Sequence, residues 1–186
     1  VRIPNNEDTW IKRVLELGAD GIIVPQVNTL EQASFAVSSA KYPPQGTRSV
    51  GLARAQGHGL QFQEYVSSAN EKLSVILQIE HRTAVDNLED ILAVEGIDAI
   101  IIGPYDLSAS FGKPGQIDDP EVLAAMDKIQ KGCQSKNIPL GIFTMSESLG
   151  KKYFDQGYRM VSLGIDIQFL WSSAKAALEA MKEVKV

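Results

Sequence analysis

Two short hydrophobic runs each end in a carboxylate: Val75-Ile76-Leu77-Gln78-Ile79-Glu80 and Ala99-Ile100-Ile101-Ile102-Gly103-Pro104-Tyr105-Asp106. Continuous apolar runs of this length lack the alternation of a half-exposed strand and predict parallel strands covered on both faces. Parallel strands need long, usually helical, crossovers, so this feature restricts the chain to an α/β architecture. Ligands bind such folds at the C-terminal ends of the strands, where both carboxylates stand. Two carboxylates with no nearby cysteine suit a hard divalent cation. The same residues also allow a plainer arrangement, in which Glu80 pairs with Arg82 or caps a helix and Asp106 caps a turn that starts at Leu107.

The rest of the chain keeps a strand–helix rhythm without repeats. Asn5 or Asn6 is placed to cap a helix with Glu7 and Asp8 in its first turn and Trp10, Ile11, Val14, Leu15 and Leu17 at helical spacing, stopped by Gly18. A strand over Gly21 to Pro25 follows, then a helix from a capping box at Thr29 and Gln32 through Ala40, closed by Tyr42-Pro43-Pro44. The longest irregular stretch, Gln45 to Gly59, contains Gly46, Gly51, Gly57 and Gly59 and is expected to be functional or to cover a neighbouring subunit. Helices are predicted near Leu60 to Asn70 and Thr83 to Val94, and Asp119-Pro120 forms an N-cap and N1 pair for a helix to Ser135. A strand over Pro139 to Thr144, a helix from Ser146 to Gly157, a strand over Arg159 to Gly164 and a last helix from Asp166 complete the pattern.

That pattern is five full strands and a stub at Val1-Arg2-Ile3-Pro4, each followed by helix. It predicts a (β/α)8 TIM barrel represented from its third strand, the stub, to its eighth, with the first two β/α units lying upstream of Val1. A doubly wound open sheet would read almost identically. The 186 residues fit a single domain over 1–186. A net charge of −5 with no long basic run argues against nucleic acid as partner. No apolar stretch approaches the roughly 20 residues of a bilayer span, and the lone Cys133 rules out a disulfide within the chain, so a cytoplasmic protein is expected.

Taken together, Tyr42-Pro43-Pro44-Gln45-Gly46-Thr47-Arg48, Gln78-Ile79-Glu80, Val94-Glu95-Gly96-Ile97-Asp98 and Gly103-Pro104-Tyr105-Asp106-Leu107-Ser108 resemble the metal-dependent pyruvate aldolases of the HpcH/HpaI type. The resemblance runs in order along essentially the whole chain. It implies a class II aldolase that reversibly cleaves a 4-hydroxy-2-oxo acid or a 2-keto-3-deoxy sugar acid to pyruvate and an aldehyde. By position, Glu80 and Asp106 fall on the family's metal-binding carboxylates, and Arg2 on an arginine facing the oxygen of pyruvate or its enolate. Gln78 and the Tyr105–Asp106 turn match substrate contacts, and Glu16 matches an acidic residue that raises the basicity of a catalytic histidine. The implied cation is Mg²⁺, Mn²⁺ or Co²⁺, and the implied assembly is a homo-oligomer, trimer or hexamer, with Phe169, Leu170 and Trp171 of the last helix against a neighbour.

The departures bear on mechanism. The family's general base is a histidine on the second strand, and neither His58 nor His81 aligns with it; His81 follows Glu80 where a small polar residue is expected. No lysine stands at a strand end in these motifs, which disfavours Schiff-base chemistry. Two other functions remain open on the sequence: a citrate or acyl-CoA lyase or synthase, with room for the larger substrate in the Gln45 to Gly59 segment, and a barrel that binds 2-oxo acids without catalysis.

Overall fold

The computed structural model describes residues 1–182. Five parallel strands, β1 (Gly21–Val24), β2 (Ser74–Ile79), β3 (Ala99–Ile102), β4 (Leu140–Thr144) and β5 (Met160–Leu163), lie side by side in sequence order. The chain start extends this arc by one position: Arg2 bridges Ile23 in parallel, with the Ile3 N–H on Ile23 O at 3.0 Å and the Ile23 N–H on Val1 O at 2.9 Å. This order separates the two architectures the sequence leaves open. A doubly wound sheet reverses direction at a switch point, whereas a barrel adds each strand beside the last. The chain is a parallel half-barrel of the TIM type.

Helices α1 (Asp8–Glu16), α2 (Leu30–Ala40), α3 (Phe62–Lys72), α4 (Arg82–Asp86), α5 (Leu88–Ile91), α6 (Pro104–Ser110), α7 (Pro120–Ser135), α8 (Glu147–Asp155) and α9 (Asp166–Lys182) make the connections. Ile22, Val24, Val75, Leu77, Ile79, Ile100, Ile102 and Ile142 share one fully buried cluster with Ile11, Leu15, Ala33, Ala36, Ile91, Val122, Ile129 and Cys133 from the helices. Burial along β1 and β2 nonetheless alternates, despite their continuous apolar character. The faces bearing Ile23, Ile76 and Gln78 are only half-buried, so these strands are covered fully on the helix side alone.

Several local expectations need correction. The N-cap of α1 is Glu7, with the Asn5 amide donating to the Glu7 carboxylate at 2.5 Å, and Trp10 and Leu17 are exposed while Ile11 and Leu15 are buried. Gly18 ends the helix at φ +94°, as its lack of a Cβ permits. Thr29 does cap α2, but the Gln32 side chain accepts from the Asn28 N–H rather than closing the box on Thr29. The helix expected over Thr83 to Val94 breaks into α4 and α5 at Asn87, whose amide leaves the helix face to donate to Asn28 O at 2.9 Å. The Asp119–Pro120 start of α7 stands as read, Asp119 accepting from the Glu121 N–H at 2.9 Å.

The Gln45 to Gly59 segment leaves the end of α2 and packs at the N-terminal edge of the sheet. Ser49 Oγ accepts from Lys12 at 2.6 Å, and a Cβ on Gly51 would stand 2.8 Å from the Glu16 carboxylate. Its 3₁₀ turns over Arg54–Gly59 are broken at Gly57 and His58, both at left-handed φ. Arg48 is 1% exposed, with its guanidinium 4.5 Å from the Tyr42 ring centre and 5.7 Å from that of Tyr65. The Tyr42 to Arg48 motif therefore pins this edge by cation–π packing. Lys41, also buried, donates to the carbonyls of Asn70 and Leu73 at the end of α3. Among the described residues no helix is long and apolar enough to cross a membrane.

Candidate active site

Glu80 follows the last residue of β2 and is 1% exposed. Strand periodicity places Gln78, two residues earlier, on the same face. The Gln78 amide donates to Glu80 Oε2, and the main-chain N–H of Gln26, just beyond β1, donates to Glu80 Oε1 at 2.9 Å. Gly103, between β3 and α6, makes this approach possible. A Cβ there would lie 2.6 Å from Glu80 Oε2 and 2.9 Å from the Gln78 amide nitrogen. Pro104 then opens α6 at N1, which carries Tyr105 and Asp106 in its first turn.

Asp106 is exposed and lies inside that first turn, so it does not cap a helix starting at Leu107. Glu80 does not pair with Arg82 either, whose guanidinium stacks on Phe111 at 5.8 Å. Among the described residues no Lys, Arg or His lies within ion-pair distance of Glu80 or Asp106. Burial pushes the Glu80 carboxyl above the usual glutamate range. The Gln26 N–H opposes this, the negative charge of Asp106 adds to it, and Gln78 and the positive charge of Arg2 oppose it further. Arg2 and Asp106 thus each lie within electrostatic reach of Glu80, at the strand edge where barrels bind ligands.

The remaining sequence-predicted residues divide. Tyr105 is 39% exposed and sets its ring edge against Phe143 of β4, with ring centres 6.1 Å apart. Glu16 ends α1 at the opposite, N-terminal edge, 3.8 Å from Lys12, and the fold does not bring it to Glu80 within this chain. His81 caps α4, its Nδ1 accepting from the Thr83 N–H at 3.2 Å, and His58 lies at the N-terminal edge beside Glu16 and Arg54. The segment expected to make room for a larger acid or CoA is at that edge as well. Gln26 and Gly103 are the participants that sequence reasoning did not single out. Gly103 stands inside the motif around Asp106, whereas Gln26 acts through its backbone and carries no side-chain signature.

The donor set fits a divalent cation. Two carboxylates, one of them buried, follow adjacent strands without a cationic side chain in ion-pair contact, and Arg2 offsets the charge of Glu80 only at a distance. Among the described residues no group of three or more His, Cys, Asp and Glu converges to hold a metal, here or elsewhere. A two-carboxylate site leaves the other positions of an oxygen shell to water and substrate. The buried charge has a consequence for stability. Because the folded state holds the Glu80 proton more tightly than the unfolded state, stability falls as pH rises from the ordinary glutamate range through the raised value of Glu80. Glu80→Gln removes the buried charge and keeps the Gln26 bond. In metal-free protein at pH 7 it is expected to raise the melting temperature by about 2–4 °C, the shift that ~1 kcal/mol produces in a domain of this size, measured by calorimetry in EDTA. An unchanged or lowered value would mean that burial of the charge is not costly.

The comparisons agree with this fold. Residues 1–173 match the family described as HpcH/HpaI aldolase/citrate lyase. A 4-hydroxy-2-oxo-heptane-1,7-dioate aldolase of Klebsiella pneumoniae is 41% identical over 179 residues, which are 95% of this chain and 67% of the relative. A 5-keto-4-deoxy-D-glucarate aldolase of the same species is 36% identical over 183 residues, 98% of this chain and 72% of the relative. The crystal structure of an HpcH/HpaI aldolase/citrate lyase family protein from Burkholderia cenocepacia superposes with a TM-score of 0.94 at 32% identity, covering 98% of this chain and 73% of that one. These matches show that the chain belongs to the HpcH/HpaI aldolase/citrate lyase family.

Proposed function

We propose that this chain carries the metal and pyruvate half-site of a divalent-metal-dependent aldolase, which cleaves a 4-hydroxy-2-oxo acid or a 2-keto-3-deoxy sugar acid to pyruvate and an aldehyde. The observation that carries the proposal is the placement of Glu80 and Asp106 just beyond adjacent strands, with Gln78 bonded to Glu80 and both Asp106 and Arg2 within electrostatic reach of it. Glu80 and Asp106 would hold the cation, Mg²⁺, Mn²⁺ or Co²⁺. When bound, the cation supplies Lewis-acid withdrawal of electron density from the 2-oxo group.

The chain's own residues account for binding and charge. The N–H groups of Tyr105 and Asp106 lie in the first turn of α6, where main-chain donors have no helical partner, and they receive the substrate carboxylate. Gln78, already holding Glu80, presents its amide on the substrate-facing side. As the 4-hydroxyl gives its proton to a base outside this half-site and C4 becomes the aldehyde carbonyl, the C3–C4 bond breaks and its electron pair passes to the pyruvate enolate, and Arg2 places its guanidinium charge where that negative charge grows. A preorganised donor of this kind commonly contributes about 10²–10³ in rate. Glu16, at the other edge, has no part in this half of the reaction, and neither His58 nor His81 is assigned as base. Room for a citrate-like or CoA substrate is not supported by the Gln45 to Gly59 segment, which lies away from Glu80.

We further propose that 1–186 belongs to a single barrel domain, which it represents from the third strand on, of a cytoplasmic homo-oligomer, trimeric or hexameric. No residue of α9 is buried, and Phe169, Leu170 and Trp171 are half or more exposed. Burial raises the pKa of the Cys133 thiol to about 12 and shields it from thiol chemistry. Light scattering is expected to give the mass of a trimer or larger; a monodisperse monomer would contradict the assembly.

The enzymatic reading is tested by exchange of deuterium into the methyl group of pyruvate, followed by NMR with Mg²⁺ or Mn²⁺ and again with EDTA. Exchange that requires the metal is expected. Its absence from folded, metal-loaded protein would leave a barrel that binds without forming the enolate.

A further inference from the structure

Glu80 is held from two sides, and the second side is unusual. Gln78 reaches it from the same strand, but the donor to Oε1 is the main-chain N–H of a residue 54 positions earlier, Gln26. Gln26 stands at φ +55°, in the left-handed region that residues with a side chain rarely adopt. The turn begins where β1 ends: Val24 is the last strand residue, Pro25 is buried, and Val27 is fully buried on the far side. Between these two anchors the peptide of Gln26 leaves the β1–β2 ladder, and its N–H points at the carboxylate instead of along the strand edge. Backbone held in a sparsely populated region beside a buried charge is a pattern of functional sites, where the surrounding packing enforces what local preference opposes.

We infer that Gln26 is a positioning residue, whose left-handed turn aims its N–H at Glu80 Oε1 and so fixes the rotation of the Glu80 carboxylate toward a bound divalent cation. This rests on the reading of Glu80 as a metal ligand. The bond occupies one lone pair of Oε1 and leaves the other for the cation, while Gln78 does the same at Oε2. A carboxylate gripped at both oxygens has little freedom to turn away when the cation leaves, so the site stays formed. Outer partners that orient metal ligands in this way are commonly worth 10–100-fold in affinity. The Gln26 side chain is exposed and plays no part in this role.

The test is Mn²⁺ affinity, read from the electron paramagnetic resonance of the free ion. Replacing Gln26 by its α-hydroxy acid analogue exchanges the N–H for an ester oxygen and keeps the side chain. This variant is expected to weaken Mn²⁺ binding at least tenfold. Gln26→Gly, which keeps the N–H and suits the left-handed turn, is expected to bind within about twofold of the parent. Glu80→Gln serves as the reference and is expected to lose most of the affinity. If Glu80→Gln binds Mn²⁺ like the parent, the reading of Glu80 fails and the inference with it. If Glu80→Gln loses binding but the ester variant does not, the inference alone is overturned. A tenfold loss in Gln26→Gly would overturn it as well, because the side chain would then be the part that matters.

Discussion

Moving an ionised carboxylate out of water costs several kcal/mol unless hydrogen bonds or an opposite charge replace the lost solvation. Glu80, at 1% exposure, meets this requirement only in part: two donors hold it, Arg2 offsets it at a distance, and Asp106 works against it. The surrounding elements are arranged to keep it there. β1 ends in a turn that points the Gln26 N–H at Glu80, β2 sets Gln78 on the same face, and β3 is followed by a glycine because any side chain at Gly103 would strike the carboxylate. Three consecutive strands thus finish in ways that serve one group, at a cost to stability that a cation is suited to relieve.

The same topology separates stability from chemistry. Parallel strands in sequence order put every C-terminal end on one edge and every N-terminal end on the other. Two buried cations of the second edge serve packing rather than chemistry: Arg48 stacks on the rings of Tyr42 and Tyr65, and Lys41 closes α3 on the carbonyls of Asn70 and Leu73. The long segment with four glycines belongs to this edge, which explains why its unusual composition does not bear on Glu80 within the chain.

How far this is legible in the sequence depends on whether a residue acts through its side chain. Glu80 stands out because a polar residue that ends an apolar run is placed by strand geometry, Asp106 because it stands in the first turn of the helix that follows such a run, and Asp119-Pro120 and Gly18 are equally clear because capping chemistry is local. Gln26 is illegible because its main chain does the work and its φ is imposed by neighbours. The break at Asn87 depends on a bond to Asn28, far away in sequence, so local helical pattern overrides it on paper but not in the fold. Strand order is a tertiary property that no single segment encodes, and it alone separates the barrel from an open sheet. The alternating burial of β2 likewise reflects what covers each face, which apolar content does not report.

Anomalous diffraction at the manganese edge from crystals grown with Mn²⁺ tests the central claim most directly. A single strong peak within coordination distance of both the Glu80 and Asp106 carboxylates is the predicted result. A fully occupied peak elsewhere, or none at this edge at saturating Mn²⁺, would contradict the account of these two residues as the metal-holding pair.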